Sequence, residues 1–434
     1  MLHWISSAYV ADIRQTRDPA IWCDRKRAWG ASLTTSFYER YGIKTIINAA
    51  GPMTKLSGHV LAPEVREAMA SAGAACACIE DLQEAAGELI ARVTGAEAGY
   101  VTAGAAAGLT MAAAAAIAGL NLAAMDQLPD TTGLRNEIIV QRGHVTAYSH
   151  ALRVSGARLV DVGYVGYPGQ GRTWPWQIEA AINERTAAIF YSAGSMPGMV
   201  ELAVLVELAH RHSLPVIVDA AATLPPARNL QRFVEEGADL VCFSGGKAIG
   251  GPQASGILAG RAGLIASVAL QHQDMDVEPE TWSWRTRYLE NHVLPGPPHH
   301  GLGRPMKVGK EEIAGLMVAL ERYVERNHQA DWQRWYGRLE AIRDRLAGLR
   351  GASVDILTNE KEPEAVPIAR INIDEVMLEM SAVDVVNQLM VGEPSIAVSQ
   401  GFLQDAAIGI NPMVLQPGQD EAVADRILAV LSGQ

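Results

Sequence analysis

An α/β fold, a mostly parallel sheet covered by helices with a small α+β domain at its C-terminal end, is what this sequence predicts. Three observations predict it. Between Tyr41 and Gly260 short apolar runs of strand length alternate with segments of helix length, the pattern of repeated strand–helix–strand units. Several of those runs, Ala187–Ser192 and Pro215–Val218 among them, are apolar at consecutive positions, as strands buried on both faces are. After Ala352 the text changes style, and short strands alternate with two helices.

Residues 1–35 show no clear period and read as an N-terminal extension that packs on a partner subunit. Tyr41 to Gly51 gives a short strand and a small-residue turn. Pro63 opens a helix at a position where its missing N–H costs nothing, and Asp81–Val93 is a second helix stopped by Thr94-Gly95. Gly99–Thr102 ends a strand, and Ala103–Gly108 opens a helix rich in alanine. Strands are expected at Glu137–Gln141, Arg158–Val162, Ala187–Ser192, Pro215–Val218 and Asp239–Phe243. Helices are expected between them at Thr146–Ser155, Pro175–Asn183, Glu201–His212 and Arg228–Glu236. Helices at Gly309–Asn327 and Asp331–Leu349 then lead to strands at Ser353–Leu357, Val366–Ile373 and Ile396–Ser399. The expected division is an extension (1–35), a large domain (36–308), bridging helices (309–350) and a small α+β domain (351–434).

Composition removes several function classes. Of 434 residues 49% are apolar and 19% charged, which is globular rather than disordered. A net charge of −12 argues against a general grip on nucleic acid. Four cysteines make no disulfide framework, Cys76-Ala-Cys78 lacks the spacing of a zinc site, and a reducing, cytoplasmic setting fits. The uncharged window Gly104–Met125 is long enough to span a bilayer, yet its small residues on all faces describe a tightly packed internal helix, so no membrane association is expected. His292, His299 and His300 have no spaced carboxylate or cysteine beside them in sequence, so no metal is expected.

The chemistry gathers between Pro215 and Gly260. One strand ends in Asp219, a helix follows, and the next strand empties into Ser244-Gly245-Gly246-Lys247. A strand–helix–strand unit brings such a carboxylate and lysine to one edge of a parallel sheet. An acid beside a glycine-flanked lysine there suggests pyridoxal phosphate. That cofactor needs a lysine to hold its aldehyde, an anion facing the pyridine nitrogen, a flat group against the ring and donors for the phosphate. Lys247 and Asp219 fit the first two roles, and His144 at a strand exit is the candidate for the third. Ser244 and the amides of Gly104, Ala105 and Ala106, at a helix start without bulky side chains, are candidates for the fourth. Other meanings of these letters lack their companions. Ser244-x-x-Lys247 stands without the other motifs of penicillin-binding enzymes, and no phosphate loop of the Gly-x-x-x-x-Gly-Lys-Ser/Thr type occurs.

Asn48–Pro52, Val101–Ala106, Asp219–Ala221 with Pro225-Pro226, Ser244–Lys247, Gly250–Gln253 and Gly303–Lys310 together resemble the selenocysteine-synthase-like (SelA-like) family of fold-type-I pyridoxal phosphate enzymes. Within it the closer likeness is to the branch that holds D-glucosaminate-6-phosphate ammonia-lyase. The resemblance runs from about residue 37 to 432, with departures at Ala103 and Thr223. It implies a fold-type-I architecture and a homo-oligomer, a dimer or larger, with active sites at the subunit interface. It also implies that Lys247 carries the cofactor and Asp219 faces its pyridine nitrogen. By the same likeness Arg304 and Lys307 reach the neighbouring subunit's phosphate or substrate, and Arg370 meets a substrate carboxylate. A phosphorylated substrate would need further cations, for which Arg142, Arg304 and Lys307 are candidates. The activity expected is a lyase that turns a β-hydroxy amino acid, D-configured or sugar-derived forms included, into a 2-oxo acid and ammonia. The alternatives are a racemase, aldolase or aminotransferase on a small amino acid, and, with less support from the charge, a selenium transferase acting on aminoacyl-tRNA.

Overall fold

The structure, a computed structural model, describes residues 36–166, 169–194 and 197–433. The N-terminal extension, and Cys23 with it, lies outside the described residues. In chain order the first strands are β1 (Ile47–Ala49), β2 (Ala98–Thr102), β3 (Glu137–Gln141), β4 (Arg158–Val162), β5 (Tyr164–Gly166), β6 (Gly169–Arg172) and β7 (Thr186–Ser192). They are followed by β8 (Val216–Asp219), β9 (Leu240–Ser244), β10 (Gly256–Gly260), β11 (Ala352–Leu357), β12 (Ile368–Ile373), β13 (Ile396–Val398) and β14 (Ala407–Ile410).

Seven of these form the central sheet in the order β2-β10-β9-β8-β7-β3-β4. All run parallel except β10, which is antiparallel to both of its neighbours. The consecutive apolar residues of the strands serve two cores, because successive side chains point to opposite faces. Val216, Val218, Val241 and Phe243 pack on one face with the helices Ile79–Thr94, Leu202–Arg211 and Lys310–Glu325. Ile217, Leu240 and Cys242 pack on the other with the helices Ala105–Ala118 and Ala262–His272.

Local chemistry sets the helix ends. Pro63 stands at the first turn of the helix Pro63–Gly73, and Gly95 stops the helix Ile79–Thr94 in a left-handed conformation, φ 73°. The alanine-rich window forms the buried helix Ala105–Ala118, its small side chains allowing close approach to the sheet. No helix of the described residues is long and apolar enough to cross a membrane.

A third core belongs to the C-terminal part, where β11-β12-β14 form an antiparallel sheet under the helices His328–Arg345, Ala382–Val391 and Gln419–Leu431. Ala49 packs into this core, and β1 pairs in parallel with β13, Ile47 opposite Ile396 and Ala49 opposite Val398.

Some elements differ from their expected form. Gly256–Gly260 and Ala407–Ile410 are strands that sequence reading passes over, and Tyr164–Arg172 holds a hairpin where a loop is expected. The helix expected over Thr146–Ser155 is a 3-10 turn, Ala147–Ser149, followed by five helical residues, His150–Val154. Thr146 accepts from the Tyr148 amide and the Ser149 hydroxyl receives the Thr146 amide, so side chains satisfy the chain where a longer helix would have used its backbone.

Candidate active site

Register brings the predicted residues to one edge of the central sheet. Asp219, the last residue of β8, lies opposite Ser192 on β7 and Cys242 on β9. Thr102, ending β2, and Ser244, ending β9, both lie opposite Gly256. Four strand ends thus open onto the same rim, and the Gly104 turn and the Lys247 turn leave from two of them.

The Lys247 turn is rigidly made. The Gly245 amide donates to Ser255 O and the Gly251 amide to Gly245 O, both at 2.9 Å, while Ser255 Oγ donates to Pro252 O at 2.7 Å. Gly246 packs so closely on the returning chain that a β-carbon would stand 2.8 Å from Gln253 Cα. The glycines around the lysine therefore fold the turn back on itself.

Asp219 and Lys247 are both half-buried. Burial raises the Asp219 carboxyl above its ordinary range, opposed by the Ala221 amide and the Lys247 charge. Burial lowers the Lys247 amine, opposed by Asp219. Each feels the other's charge, yet no ion pair joins them.

His144 lies just beyond β3 with no exposed surface. Its ring meets Tyr191 edge-on at 4.6 Å, and its Nδ1 accepts from the Ser192 amide at 3.3 Å. That bond leaves the proton on Nε2, a buried nitrogen with no hydrogen-bond partner among the described residues. Burial holds the ring's pKa down at about 4, so it is neutral at pH 7. From this position His144 offers a donor at the rim. Gly104 caps the helix Ala105–Ala118 with φ 102° and no side-chain cap, which leaves the first amides free of any capping oxygen. Charge pair, orphaned donor and open helix start match the cofactor's ring, aldehyde and phosphate.

Arg304, Lys307 and Arg370 lie elsewhere in the chain, whereas Arg142 opens the turn Arg142–His144. Arg304 pairs with Asp274 at 2.7 Å and, with Lys307, lines a separate cavity of about 200 Å³ beside Tyr100 and His272. None of Asp219, Lys247 or His144 lines that cavity. Arg370 sits on β12, its guanidinium 5.5 Å above the Phe402 ring and 3.6 Å from Asp405. Arg142 is exposed. His300 approaches Asp274 and Asp276, a proximity hidden by their separation in sequence, and the Arg304 guanidinium already pairs with Asp274 there. Cys76 and Cys78 are exposed thiols and Cys242 is buried. Sequence reading missed Ser192 and Tyr191, which seat His144; their strand was found, but nothing in it marks its end as part of a site.

The chain is similar to known proteins along most of its length. A profile of the family described as SelA: L-seryl-tRNA selenium transferase matches residues 46–275. D-glucosaminate-6-phosphate ammonia lyase of Salmonella typhimurium is 34% identical over 91% of this chain and 98% of its own. The 5'-C-glycyluridine monooxygenase-decarboxylase of a Streptomyces species is 30% identical over 92% of each chain. A solved structure of D-glucosaminate-6-phosphate ammonia-lyase superposes with a TM-score of 0.75 at 32% identity, covering 92% of this chain and 99% of that one. The sheet order, the small antiparallel domain and the chain-long likeness agree, and the protein belongs to the SelA family of fold-type-I enzymes.

Proposed function

We propose that this protein is a pyridoxal-phosphate-dependent lyase that converts a β-hydroxy amino acid, D-configured or sugar-derived forms included, into a 2-oxo acid and ammonia. The observation that carries the reading is the Asp219–Lys247 arrangement, two oppositely charged groups on one rim, coupled but not paired. The chain-long likeness to an ammonia lyase supports this choice of reaction.

When bound, pyridoxal phosphate supplies the ring that takes up the charge left by a departing α-proton. Asp219 would face the ring nitrogen and hold its proton. Lys247, its amine made less basic by burial, accepts the α-proton from the substrate and later returns a proton. His144 holds an oxygen at the rim through Nε2–H, and Ser244 with the amides at Gly104, Ala105 and Ala106 holds the phosphate. The β-hydroxyl leaves as water, and the enamine so formed is hydrolysed to the 2-oxo acid and ammonia. Arg304 and Lys307, which line a cavity that Lys247 does not reach, serve the site of a neighbouring subunit, and Arg370 receives the substrate carboxylate.

Purified protein mixed with pyridoxal phosphate should gain a visible absorption band that Lys247→Ala lacks. A panel of L- and D-β-hydroxy amino acids should then yield ammonia and 2-oxo acid in equal amounts from at least one member. Solvent deuterium entering the α-position without ammonia would instead identify a racemase. Oxygen uptake with carbon dioxide release would place the protein beside its Streptomyces relative.

A further inference from the structure

Another cavity, of about 430 Å³, lies against the turn that carries Lys247. Its lining includes Lys247, Ala248, Ile249 and Gly250 but none of Asp219, His144, Ser244 or the Gly104 turn. The helices Lys310–Glu325 and His328–Arg345 and the segment Met413–Gln416 complete its wall, so it sits where the two domains meet.

The wall is built for an anion. Arg322, Arg326 and Arg334 line it beside Glu325; Arg322 pairs with Glu64 at 2.8 Å, while Arg326 and Arg334 share the single carboxylate of Asp331 at 3.0 and 2.6 Å. Two deeply buried residues, Tyr323 (1% exposed) and Trp335 (3% exposed), also line it, and the Tyr323 hydroxyl and the Trp335 indole Nε1 are buried without a hydrogen-bond partner among the described residues. Buried donors are rarely left open in folded proteins, because the lost hydration goes uncompensated until an acceptor arrives. His59 adds a buried Nε2 without a partner; its Nδ1 faces Val60 O at 3.1 Å, and burial keeps the ring neutral. Arg326 ties the cavity to the active site. It donates to Ala248 O at 3.0 Å, one residue beyond Lys247, while its guanidinium lies 4.7 Å above the Tyr323 ring and pairs with Asp331 at 3.0 Å.

We propose that this cavity binds the anionic group of a small molecule, a phosphate monoester or a carboxylate, through Arg326, Arg334, the Tyr323 hydroxyl and the Trp335 indole N–H. The bound anion bears on the lysine turn through Arg326. The group belongs either to the far end of the substrate or to a separate effector. The inference stands apart from the lyase reading, because its test measures binding and needs no turnover.

The test is calorimetric titration of the pyridoxal-phosphate-loaded protein with inorganic phosphate, repeated in Tyr323→Phe and Arg334→Gln. Tyr323→Phe keeps the ring and removes only the open hydroxyl; Arg334 is half exposed, and when it is lost Arg326 still pairs with the buried Asp331. Phosphate is expected to bind, about threefold to tenfold more weakly in Tyr323→Phe and more than about tenfold more weakly in Arg334→Gln. Phosphohomoserine that displaces phosphate identifies the substrate's own tail. Phosphohomoserine and phosphate bound together identify an effector. No heat up to about 20 mM phosphate, or affinity unchanged in both variants, overturns the proposal.

Discussion

Gly256 packs directly beneath Ala105: a β-carbon on it would stand 2.9 Å from the Ala105 amide nitrogen and 2.6 Å from the Gly104 carbonyl carbon. The single antiparallel strand thus supports the turn proposed to hold the cofactor's phosphate. Gly256→Ala should push that turn outward, destabilising the fold by about 1–3 kcal/mol and weakening pyridoxal phosphate binding. Denaturant titration and cofactor titration of the same variant measure both effects. Wild-type cofactor affinity in a destabilised variant would separate the turn from the phosphate.

Asp219 answers to charge. Asp219→Asn keeps the side chain's shape and its Ala221 bond while removing the anion that opposes the ring nitrogen. The absorption band at Lys247 should survive, and turnover should fall by about a hundredfold or more, the scale of losing one electrostatic partner of a reacting group. Loss of the band together with activity would give Asp219 a role in folding the turn instead.

The buried imidazole of His144 makes stability depend on pH. Its pKa is held near 4 in the folded chain, against 6.5 ordinarily, so between those values the unfolded chain binds the extra proton. The stabilisation is therefore complete above about pH 6.5 and is lost as pH falls through 4, amounting to about 3 kcal/mol. His144→Gln should flatten that part of the pH–stability curve. Subtracting the variant's curve from the wild type's removes the contributions of His59, His272 and His328, which burial also lowers.

At the opposite edge of β8 and β9 Asp239 is fully buried; its Oδ2 accepts from the Val216 amide at 2.7 Å and meets His210 Nε2 at 2.9 Å, and its Oδ1 pairs with the Arg261 guanidinium at 2.6 Å. His210 and Arg261 are partly exposed and contribute less than a buried pair would. Asp239→Ala should still cost about 2–4 kcal/mol, chiefly by stranding the Val216 amide at the start of β8. The midpoint of urea unfolding reads the loss directly.

Asp219, Ser244 and Lys247 are legible in the sequence for one reason: apolar runs that are buried on both faces end abruptly in polar residues, and parallel connections place such ends together. Gly256–Gly260 is not legible as a strand, because glycine at both ends lowers strand propensity. Its closeness to Ala105 and to the Asp239 carbonyl is what requires those glycines. The cavity of Arg326, Tyr323 and Trp335 is invisible to a linear reading. Its walls come from Val60, Lys247, Tyr323, Trp335 and Met413, and the helices that hold the arginines read as ordinary connectors between domains. The likeness to a family supplied Arg304 and Lys307 from a motif, whereas the distance of these residues from Lys247 is a property of the folded chain alone.

The pairing of β1 with β13 has a consequence for how the protein is made. Ile47 and Ile396 are neighbours in space with nearly the whole chain strung between them. On the ribosome the first strand emerges long before its partner, and the central sheet can close while that strand still waits. The N-terminal strand is thus a late clasp, set only when the last hundred residues have been synthesised, and long-range closures of this kind are slow. A chain cut short before Ile396 would keep Lys247 and leave Ala49 without the strand it packs beside, a ready handle for the proteases that clear unfinished chains.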